Sequence, residues 1–470
     1  MGGGLLQLIA VGQFDSYLTA NPDLSFYQYV YKRHTNFAME SRNLMFTRNP
    51  VLAPRGLVGT FECQILRYGD LLSNLYFCFT LPDIYSSEKY KFRWVKNVGA
   101  AFIKKASIYI DGMMIDQTTG EWMNIWNELT MPVGDNNYNQ MVGNVPELQD
   151  PKSNFTRISI KNNRFIYFYY PESSKFTNAP PSIASRRILV PLNFWFTKNP
   201  ALSLPLLRLQ FKIITVKLEL VPSEQLYQVY SDKLNMFVSP LFYNELHDDS
   251  INIYTFTKDI NLEPYIEANY IFLDEQERNS IFIKPRLTYL VEQLTITSKQ
   301  SSVVNENVNI LVNNPTKEII WVIKRNDLWK YNETLNYSMN IPESKEGALH
   351  KATIRFNNNV RLEEKDSEYF SMIQPYQHHT KIPRAGIYCY SFALYPEKEY
   401  LSGYYNAALV KTNLNLQLKN SDTNMNINKA LGKIGKQSYQ VSYIIDVYSI
   451  NYNLFEVIGS EAGLKFTVST

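Results

Sequence analysis

The sequence predicts an all-β protein made of two tandem domains, and three observations support this fold class. The chain has 470 residues, which is too long for one ordinary domain and suits two domains of about 200 residues each. Short apolar runs recur along it, and 14% of its residues are aromatic, a composition that favours strands. The 19 glycines and 22 prolines are scattered between these runs, as turn residues are between short strands.

The first half contains clear local signals. Phe61–Ile65 alternates apolar and polar residues, as a strand with one solvated face does, whereas Leu75–Phe79 is apolar throughout and indicates a buried strand. Asp111 and Gly112 separate two β-prone runs and predict a two-residue hairpin turn, because that turn requires positive φ at both positions. The apolar residues of Gly120–Leu129 recur at helical spacing, which predicts a short helix.

A long polar excursion and a candidate domain boundary follow. Residues 133–182 are rich in Asn, Pro, Ser and Tyr, and loops of that length are usually functional or disordered. Order returns over 209–220, where the apolar–polar alternation slips by one residue at Ile214 and predicts a strand with a β-bulge. This run stops at Pro222 and a polar stretch follows, so we predict a linker at 223–235.

The second half shows the same pattern of short apolar runs and one long polar excursion. The runs 289–296, 318–323, 387–394 and 443–448 predict strands, and residues 324–350 form a second polar excursion. Many short strands with long connections fit two-sheet sandwiches of the jelly-roll type. An immunoglobulin-like sandwich is the alternative, although it is usually nearer ~100 residues per domain.

The predicted fold is therefore all-β, with two tandem eight-stranded jelly rolls (a double jelly roll), long loop excursions and a few short helices. The predicted organisation has four parts. They are an irregular N-terminal arm at 1–25, a first jelly-roll domain at 26–222, a linker at 223–235 and a second jelly-roll domain at 236–470.

Composition and charge exclude several classes of protein. A net charge of +3 is too small for a nucleic-acid groove, so we expect no direct contact with nucleic acid. Cys63, Cys78 and Cys389 are too widely spaced for a disulfide framework or a zinc site, and each lies in an apolar run. They are expected to be buried thiols in a reducing compartment. No apolar run approaches the ~18 residues that span a bilayer, and no basic segment predicts a secretory signal.

No arrangement of residues predicts catalysis, a cofactor or a metal centre. His378 and His379 are adjacent, so on a strand they would point to opposite faces, and an exposed turn is the better interpretation. Asp274, Glu275 and Glu277 gather beside an arginine, where a solvated turn or an ion pair is more frequent than acid–base chemistry. We therefore predict a non-enzymatic protein.

Three tripeptides match the N-glycosylation motif, at Asn154, Asn332 and Asn336. All three lie in or beside the two excursions, which predicts that they are exposed on the surface. Folding in the cytosol would leave these candidate sites unmodified.

Motifs along the whole chain resemble one family in their order and spacing. The opening Gly2–Leu8 is followed by Asp15–Pro22 and by the most recognisable stretch, Phe26–Ser41. Further matching segments are Arg67–Leu72, Trp94–Gly99, Ile110–Gly112, Asp274–Arg278, Glu292–Leu294, Asn314–Lys317, Gln374–Gln377 and Ala385–Pro396. Together these segments are similar to the major capsid proteins of nucleocytoplasmic large DNA viruses.

This resemblance implies a structural protein of the virion. Three copies would form a homotrimer, a pseudo-hexagonal capsomer that tiles the icosahedral shell of a large double-stranded DNA virus. It implies a late protein, assembled in the host cytoplasm, whose partners are neighbouring capsomers, minor capsid and penton proteins and an internal viral membrane. The long loops would form an outer turret, and the arm would be an assembly element on the inner side. The arm residues implied are Gly2, Gly3, Gly4, Leu5 and Leu8.

Two other functions stay open from the residues alone. A viral surface β-sandwich lectin or receptor-binding protein would use the aromatic loops Tyr167–Tyr170 and Tyr404–Tyr405 to stack on sugars. A glycoside hydrolase would need two carboxylates about 5–9.5 Å apart across a cleft, and the sequence offers no such pair. A stable trimer would separate the capsid hypothesis from both.

Overall fold

The computed structural model describes residues 3–12, 15, 19–29, 31–52, 58–84, 91–149, 181–246, 260–419 and 442–466. The strands are β1 Phe37–Met45, β2 Val51–Leu52, β3 Gly59–Gln64, β4 Leu71–Leu81, β5 Phe92–Trp94, β6 Ile103–Ile110, β7 Met113–Thr118, β8 Arg186–Pro191, β9 Ile214–Leu220, β10 Tyr227–Ser231, β11 Met236–Val238, β12 Ile260–Asn261, β13 Tyr265–Leu273, β14 Arg286–Ser301, β15 Asn305–Ile310, β16 Pro315–Arg325, β17 Leu349–Phe356, β18 Asn359–Asp366, β19 Ile387–Ser391, β20 Tyr405–Asn406, β21 Thr412–Leu418, β22 Tyr443–Ile458 and β23 Glu461–Leu464.

The helices are short. They are α1 Gly3–Ile9, α2 Val98–Phe102, α3 Gly120–Thr130, α4 Asn137–Val142, α5 Pro146–Gln149, α6 Pro240–Leu246, α7 Glu275–Ile283 and α8 Gln374–His378. Single 3₁₀ turns lie at Trp195–Thr197, Pro200–Leu202, Ser223–Gln225 and Leu328–Lys330, and a π-helical turn at Tyr369–Ile373 leads into α8. In the part of the chain that is described, no helix is long and apolar enough to cross a membrane.

Eight strands of the first half form a two-sheet sandwich. One sheet has the order β1-β13-β4-β8 and the other β3-β9-β6-β7, and all of their pairs are antiparallel. Numbered along the chain, these eight strands give sheet orders 1-8-3-6 and 2-7-4-5. The alternating apolar residues of the two sheets face each other and form one large core.

The second half has the same topology. Its sheets have the orders β14-β22-β16-β19 and β15-β21-β17-β18, which again read 1-8-3-6 and 2-7-4-5 when its eight strands are numbered along the chain. Eight antiparallel strands wound into two sheets in this way are a jelly roll. The predicted double jelly roll is therefore confirmed, and the shared strand order supports a tandem duplication.

The predicted domain boundary is wrong. β13 pairs with β1 and β4, so residues up to Leu273 belong to the first sandwich, and β10, at Tyr227–Ser231 in the predicted linker, pairs with β5. Pro222 and the polar residues after it belong to the long connection between the seventh and eighth strands of the first roll. A polar, proline-marked stretch is typical of any long loop, so it did not identify the join between domains.

Two local predictions are confirmed. Asp111 and Gly112 have φ of 47° and 81° and join β6 to β7 as the two-residue turn expected from their left-handed preference. The predicted helix is α3, and it begins where Thr119 Oγ1 accepts a hydrogen bond from the Trp122 amide at 3.1 Å. That side-chain cap satisfies one of the amides that a helix start leaves without a partner.

Two other local predictions are wrong. The predicted strand over 209–220 is reduced to β9, because residues 206–212 form successive turns in which the Lys212 amide donates to the Leu209 carbonyl at 3.1 Å. The arm is not wholly irregular, since it contains α1, none of whose residues is buried. Of the first excursion, residues 133–149 carry α4 and α5, and residues 150–180 lie outside the described part.

We expect Gly120→Ala to lower the free energy of unfolding by about 3 kcal/mol, near the upper end for an overpacked core. A Cβ at Gly120 would lie 1.8 Å from the carbonyl oxygen of Ala100 and 2.5 Å from that of Ile103, and neither backbone atom can rotate away. Denaturant unfolding measures the loss. Gly112→Ala is the control, because its Cβ meets open space and only the left-handed φ opposes it, by about 1 kcal/mol. Equal losses in the two variants would contradict the close approach.

Candidate functional site

The junction between the two jelly rolls is built on one helix of the first half. Trp122, Ile125 and Leu129 of α3 share an apolar cluster with Ile320 and Val322 of β16, and the ring of Trp122 stacks on that of another second-half residue, Tyr448, at 5.3 Å. Because side chains alternate along a strand, the intervening residues of β16 point into the core of the second roll. β16 is thus buried on both faces, which explains its continuous apolar run.

Charged groups at the edge of this junction are paired across it. Lys324 of β16 binds Glu121 of α3 at 2.8 Å and Asp446 of β22 at 2.7 Å. Burial alone would lower the pKa of Lys324, but the two carboxylates outweigh it and raise that pKa. Burial raises the pKa of Glu121, and Lys324 only partly offsets this. The ammonium group therefore stays charged where the two halves meet.

A second ion cluster surrounds Glu292 of β14. Its carboxylate binds Lys198 of the first half at 2.7 Å and also Lys317 of β16. Burial opposes ionisation of Glu292, but the two ammonium groups outweigh it and hold the pKa of Glu292 below its usual value. Lys317 also donates to the carbonyl oxygen of Pro396 at 2.6 Å, so this buried cluster ties both halves to a loop of the second roll.

Arg208 joins the first roll to the helix that connects the two rolls. Its guanidinium donates to the carbonyl oxygens of Phe282 at 2.9 Å and Lys284 at 2.6 Å, at the end of α7, and to Gly459 O at 3.3 Å. A cation there satisfies carbonyl groups that a helix C-terminus leaves unpaired. The position of α7 is therefore fixed from the first half.

The second excursion, residues 324–350, is packed rather than projecting. Asn332 is only 4% exposed, and its Nδ2 donates to the carbonyl oxygens of Glu224 at 2.6 Å and Tyr227 at 2.7 Å. Asn336 is also 4% exposed and donates to Asn340 O at 3.1 Å. The predicted surface exposure of these two glycosylation candidates is wrong, because both amides are committed to buried hydrogen bonds. Asn154 lies outside the described residues.

The N-terminal arm, predicted at residues 1–25, exposes many apolar side chains where the structure describes it. The structure places Gly3, Gly4, Leu5 and Leu8 in α1, where Leu5 is 56% and Leu8 77% exposed, while Gly2 lies outside the described part. The other large exposed apolar side chains of the arm are Leu6, Ile9, Val11 and Leu24, and those of Phe26, Tyr27, Tyr29 and Tyr31 follow directly after it. Exposed apolar surface on this scale marks a binding surface.

A second apolar surface lies on the second roll, and we call it the loop patch. Its exposed members are Met372, Ile373, Tyr376, Leu394, Tyr395, Tyr400, Leu401 and Tyr404. The Nδ1 atom of His378 lies 3.1 Å from the Leu394 carbonyl oxygen, which brings α8 beside the loop that follows β19. The rings of Tyr395 and Tyr400 meet edge to face at 6.3 Å. Sequence spacing could not reveal this patch, because its two segments are apart in the chain.

The remaining predicted residues have structural positions. All three cysteines are free and buried, as predicted. Asp274 caps α7, since its Oδ1 accepts from the Glu277 amide at 2.8 Å, which fits the predicted turn. His379 is not in an exposed turn, because its side chain is fully buried between Glu318 and Glu397.

Two family models cover most of the chain. One, described as major capsid protein N-terminus, matches residues 25–274, and the other, described as large eukaryotic DNA virus major capsid protein, matches residues 277–463. The chain belongs to this capsid protein family. The family is a structural one and not an enzyme family, and the two matched ranges meet where the strand pairing divides the rolls.

Relatives and solved structures agree with this assignment. The major capsid proteins of Phaeocystis pouchetii virus and Pyramimonas orientalis virus are each 28% identical to the chain, over 99% of the chain and 100% of each relative. The fold is similar to a chain of the PBCV-1 virus capsid, with a TM-score of 0.66, 22% identity and coverage of 94% of this chain and 100% of that one. It is equally similar to the Faustovirus major capsid protein, with a TM-score of 0.66, 10% identity and coverage of 94% of each chain.

We expect Glu292→Gln to lower the free energy of unfolding at pH 7 by about 3 kcal/mol, because it leaves buried Lys317 without its counter-ion. The folded pKa of Glu292 is depressed, so its contribution is present above the unfolded value of about 4.3. It is lost as the pH falls through the folded value. The difference between wild type and variant should therefore narrow below about pH 4.

Denaturant unfolding at pH 7 and pH 3.5 measures this effect. Glu364→Gln is the matched control, because its ion pair with Lys351, 2.8 Å long, is exposed and exposed pairs contribute little. A loss from Glu292→Gln that is the same at both pH values would show that ionisation is not its cause.

Proposed function

We propose that this capsid protein forms a homotrimeric, pseudo-hexagonal capsomer that tiles the icosahedral shell of a large double-stranded DNA virus. The observation that carries the proposal is that two sandwiches of identical strand order are fixed to each other by a buried junction. Three such subunits bring six similar walls around one axis, which gives a six-sided outline. Rigid β-sandwiches suit this function, because a lateral contact that is repeated across the shell needs the same geometry in every copy.

A closed ring of three copies needs a heterologous interface, in which two different surfaces meet. We propose that the loop patch on the second roll of one copy meets the edge of the first roll of its neighbour. β1 forms that edge, because β13 is its one partner strand among the described residues, and its residues Phe37, Met39 and Met45 are 54%, 53% and 70% exposed. An unpaired edge with apolar side chains is suited to association. Such an interface would bury on the order of 2,000–5,000 Å².

The arm supports a second contact, made within the shell rather than within the trimer. Its described apolar residues are exposed rather than packed on the subunit, so we propose that they bind neighbouring capsomers, minor capsid and penton proteins, or the internal viral membrane. We also propose that assembly takes place in the host cytoplasm, because the three free cysteines of the chain would stay reduced there.

No observation favours the lectin alternative. Of the aromatic pair Tyr404–Tyr405, the ring of Tyr405 packs on Phe392 at 4.4 Å and on Phe356 at 4.9 Å, so it is not free to stack on a sugar. The other aromatic loop, Tyr167–Tyr170, lies outside the described residues.

We expect the purified protein to sediment as a trimer of about 164 kDa, three times its 54.7 kDa. Replacing Tyr376 and Leu394 together by Ser should shift it toward monomer, because both side chains are mostly exposed apolar members of the loop patch. Analytical ultracentrifugation measures the shift. Val133→Ser is the control, since Val133 is 83% exposed but lies outside both surfaces. A wild-type monomer at micromolar concentration would refute the proposed capsomer.

We expect deletion of residues 1–25 to leave the trimer intact and to impair shell assembly, because no residue of α1 is buried in the subunit. Sedimentation reports the trimer, and electron microscopy of virus particles that carry the truncated protein reports the shell. Leu5→Ser with Leu8→Ser in the full-length chain tests whether the apolar surface, rather than the length, matters. Loss of the trimer on truncation would assign the arm to the trimer interface instead.

A further inference from the structure

Three side chains that can bind a metal ion converge inside the second roll, away from the surfaces described above. The carboxylate of Glu318, the imidazole of His379 and the thiol of Cys389 place their ligand atoms within 4.8 Å of one another. The side chains of Glu318 and His379 are 0% exposed, and Cys389 is also 0% exposed. This is a buried group of three different donors rather than a cluster of exposed acids.

The fold holds each donor in place. Ile320 of β16 is paired with Cys389 of β19, and Glu318 lies two residues before Ile320, so both donor side chains project from the same face of the sheet. His379 directly follows α8, where its amide donates to the Pro375 carbonyl at 2.8 Å. Two strands and a helix end therefore converge on one point, which a loop cluster could not hold as firmly.

A neighbouring carboxylate orients the imidazole. Glu397 Oε1 lies 3.0 Å from His379 Nδ1 and accepts from the Thr380 amide at 2.8 Å. This contact directs Nε2 of His379 at Glu318 Oε1, 2.6 Å away. A histidine whose second nitrogen is held by a carboxylate is the usual arrangement around a protein-bound metal ion.

One buried atom of this cluster has no partner among the described residues. Glu318 Oε2 makes no hydrogen bond, although its side chain is 0% exposed. Hydrogen bonding within the cluster satisfies Oε1 and leaves Oε2 unexplained, and a buried charged oxygen without a partner is destabilising. A cation at the centre of the three donors would be the missing partner.

We propose that Glu318, His379 and Cys389 bind one zinc ion through carboxylate, imidazole and thiolate ligands. Sulfur, nitrogen and oxygen donors in a buried set suit Zn²⁺ better than Mg²⁺ or Ca²⁺, which prefer oxygen alone. Zinc bonds of roughly 2.0–2.3 Å hold donors from different side chains roughly 3.3–3.8 Å apart, so small side-chain rotations bring the three side chains into range. Both oxygens of Glu318 then bind the ion as one bidentate carboxylate, which gives Oε2 the partner that it lacks.

Binding leaves the net charge of the cluster unchanged. Cys389 releases its thiol proton and His379 any proton on Nε2, while the Nδ1 proton stays directed at Glu397. With an imidazolium and no metal, the two carboxylates leave a net charge of −1. Zinc with two carboxylates, one thiolate and a neutral imidazole also gives −1. The ion would clamp β16 and β19 to the segment that carries the loop patch, since that patch includes residues on both sides of His379.

Metal analysis of the full-length protein tests this site. Protein stripped with a chelator, incubated with excess Zn²⁺ and desalted should retain about one zinc per chain. Cobalt in place of zinc should give a near-ultraviolet thiolate-to-metal band. Cys389→Ser should abolish this band and weaken zinc binding at least about tenfold, and Glu397→Gln should weaken it by about 10–100-fold while keeping the band. Cys63→Ser is the matched control, a buried thiol of the first roll that should change neither readout.

Two results would overturn the zinc site. One is wild-type protein that retains less than about a tenth of an equivalent of zinc per chain. This measurement does not depend on the folding of any variant. The other is a cobalt band that survives Cys389→Ser or disappears in Cys63→Ser. If the protein retains no zinc but still sediments as a trimer, this site fails and the proposed capsomer stands.

Discussion

The burial of α3 against the outer face of the β16 sheet is the contact on which the rest of the molecule depends. A single jelly roll leaves each sheet with one outer face, and here that face on the second roll is covered by Trp122, Ile125 and Leu129 of the first. The two rolls consequently behave as one body rather than as beads on a linker. Gly120 makes this possible, because only a residue without a side chain lets the start of α3 lie so close to the Ala100 carbonyl.

Charge at this junction specifies its geometry more than it adds stability. A buried ion pair loses about as much hydration energy as it gains in attraction, so the pairs of Lys324 with Glu121 and Asp446 are not the main source of stability. They do penalise any other arrangement, because a shift of α3 would leave a buried ammonium group without its carboxylates. Apolar burial thus holds the rolls together, and the ion pairs select the relative position of the two rolls.

Local turns and the double jelly-roll fold were predictable from the sequence, whereas the domain boundary and the partners of single buried residues were not. The Asp111–Gly112 hairpin and α3 depend on neighbouring residues, and both were predicted. The boundary at 223–235 was misplaced, because Pro222 marks a loop equally well inside a roll or between rolls. A glycosylation motif of three residues carries no information about burial, which is why the predicted surface exposure of Asn332 is wrong. The adjacent pair His378 and His379 predicts an exposed turn, but the partners of His379 lie at positions 318, 389 and 397, which are distant in the chain.

The two rolls combine a shared strand order with different exposed surfaces, and this combination suits a capsid subunit. The two rolls share their strand order, so they provide similar walls, but their exposed apolar residues differ: the first half carries the arm and the β1 edge, and the second carries the loop patch. Two identical surfaces would favour a two-fold dimer, whereas two different ones allow a ring that closes at three. In the proposed capsomer, duplication would supply the six-fold outline, and divergence of the loops would supply the two different surfaces that a closed ring needs.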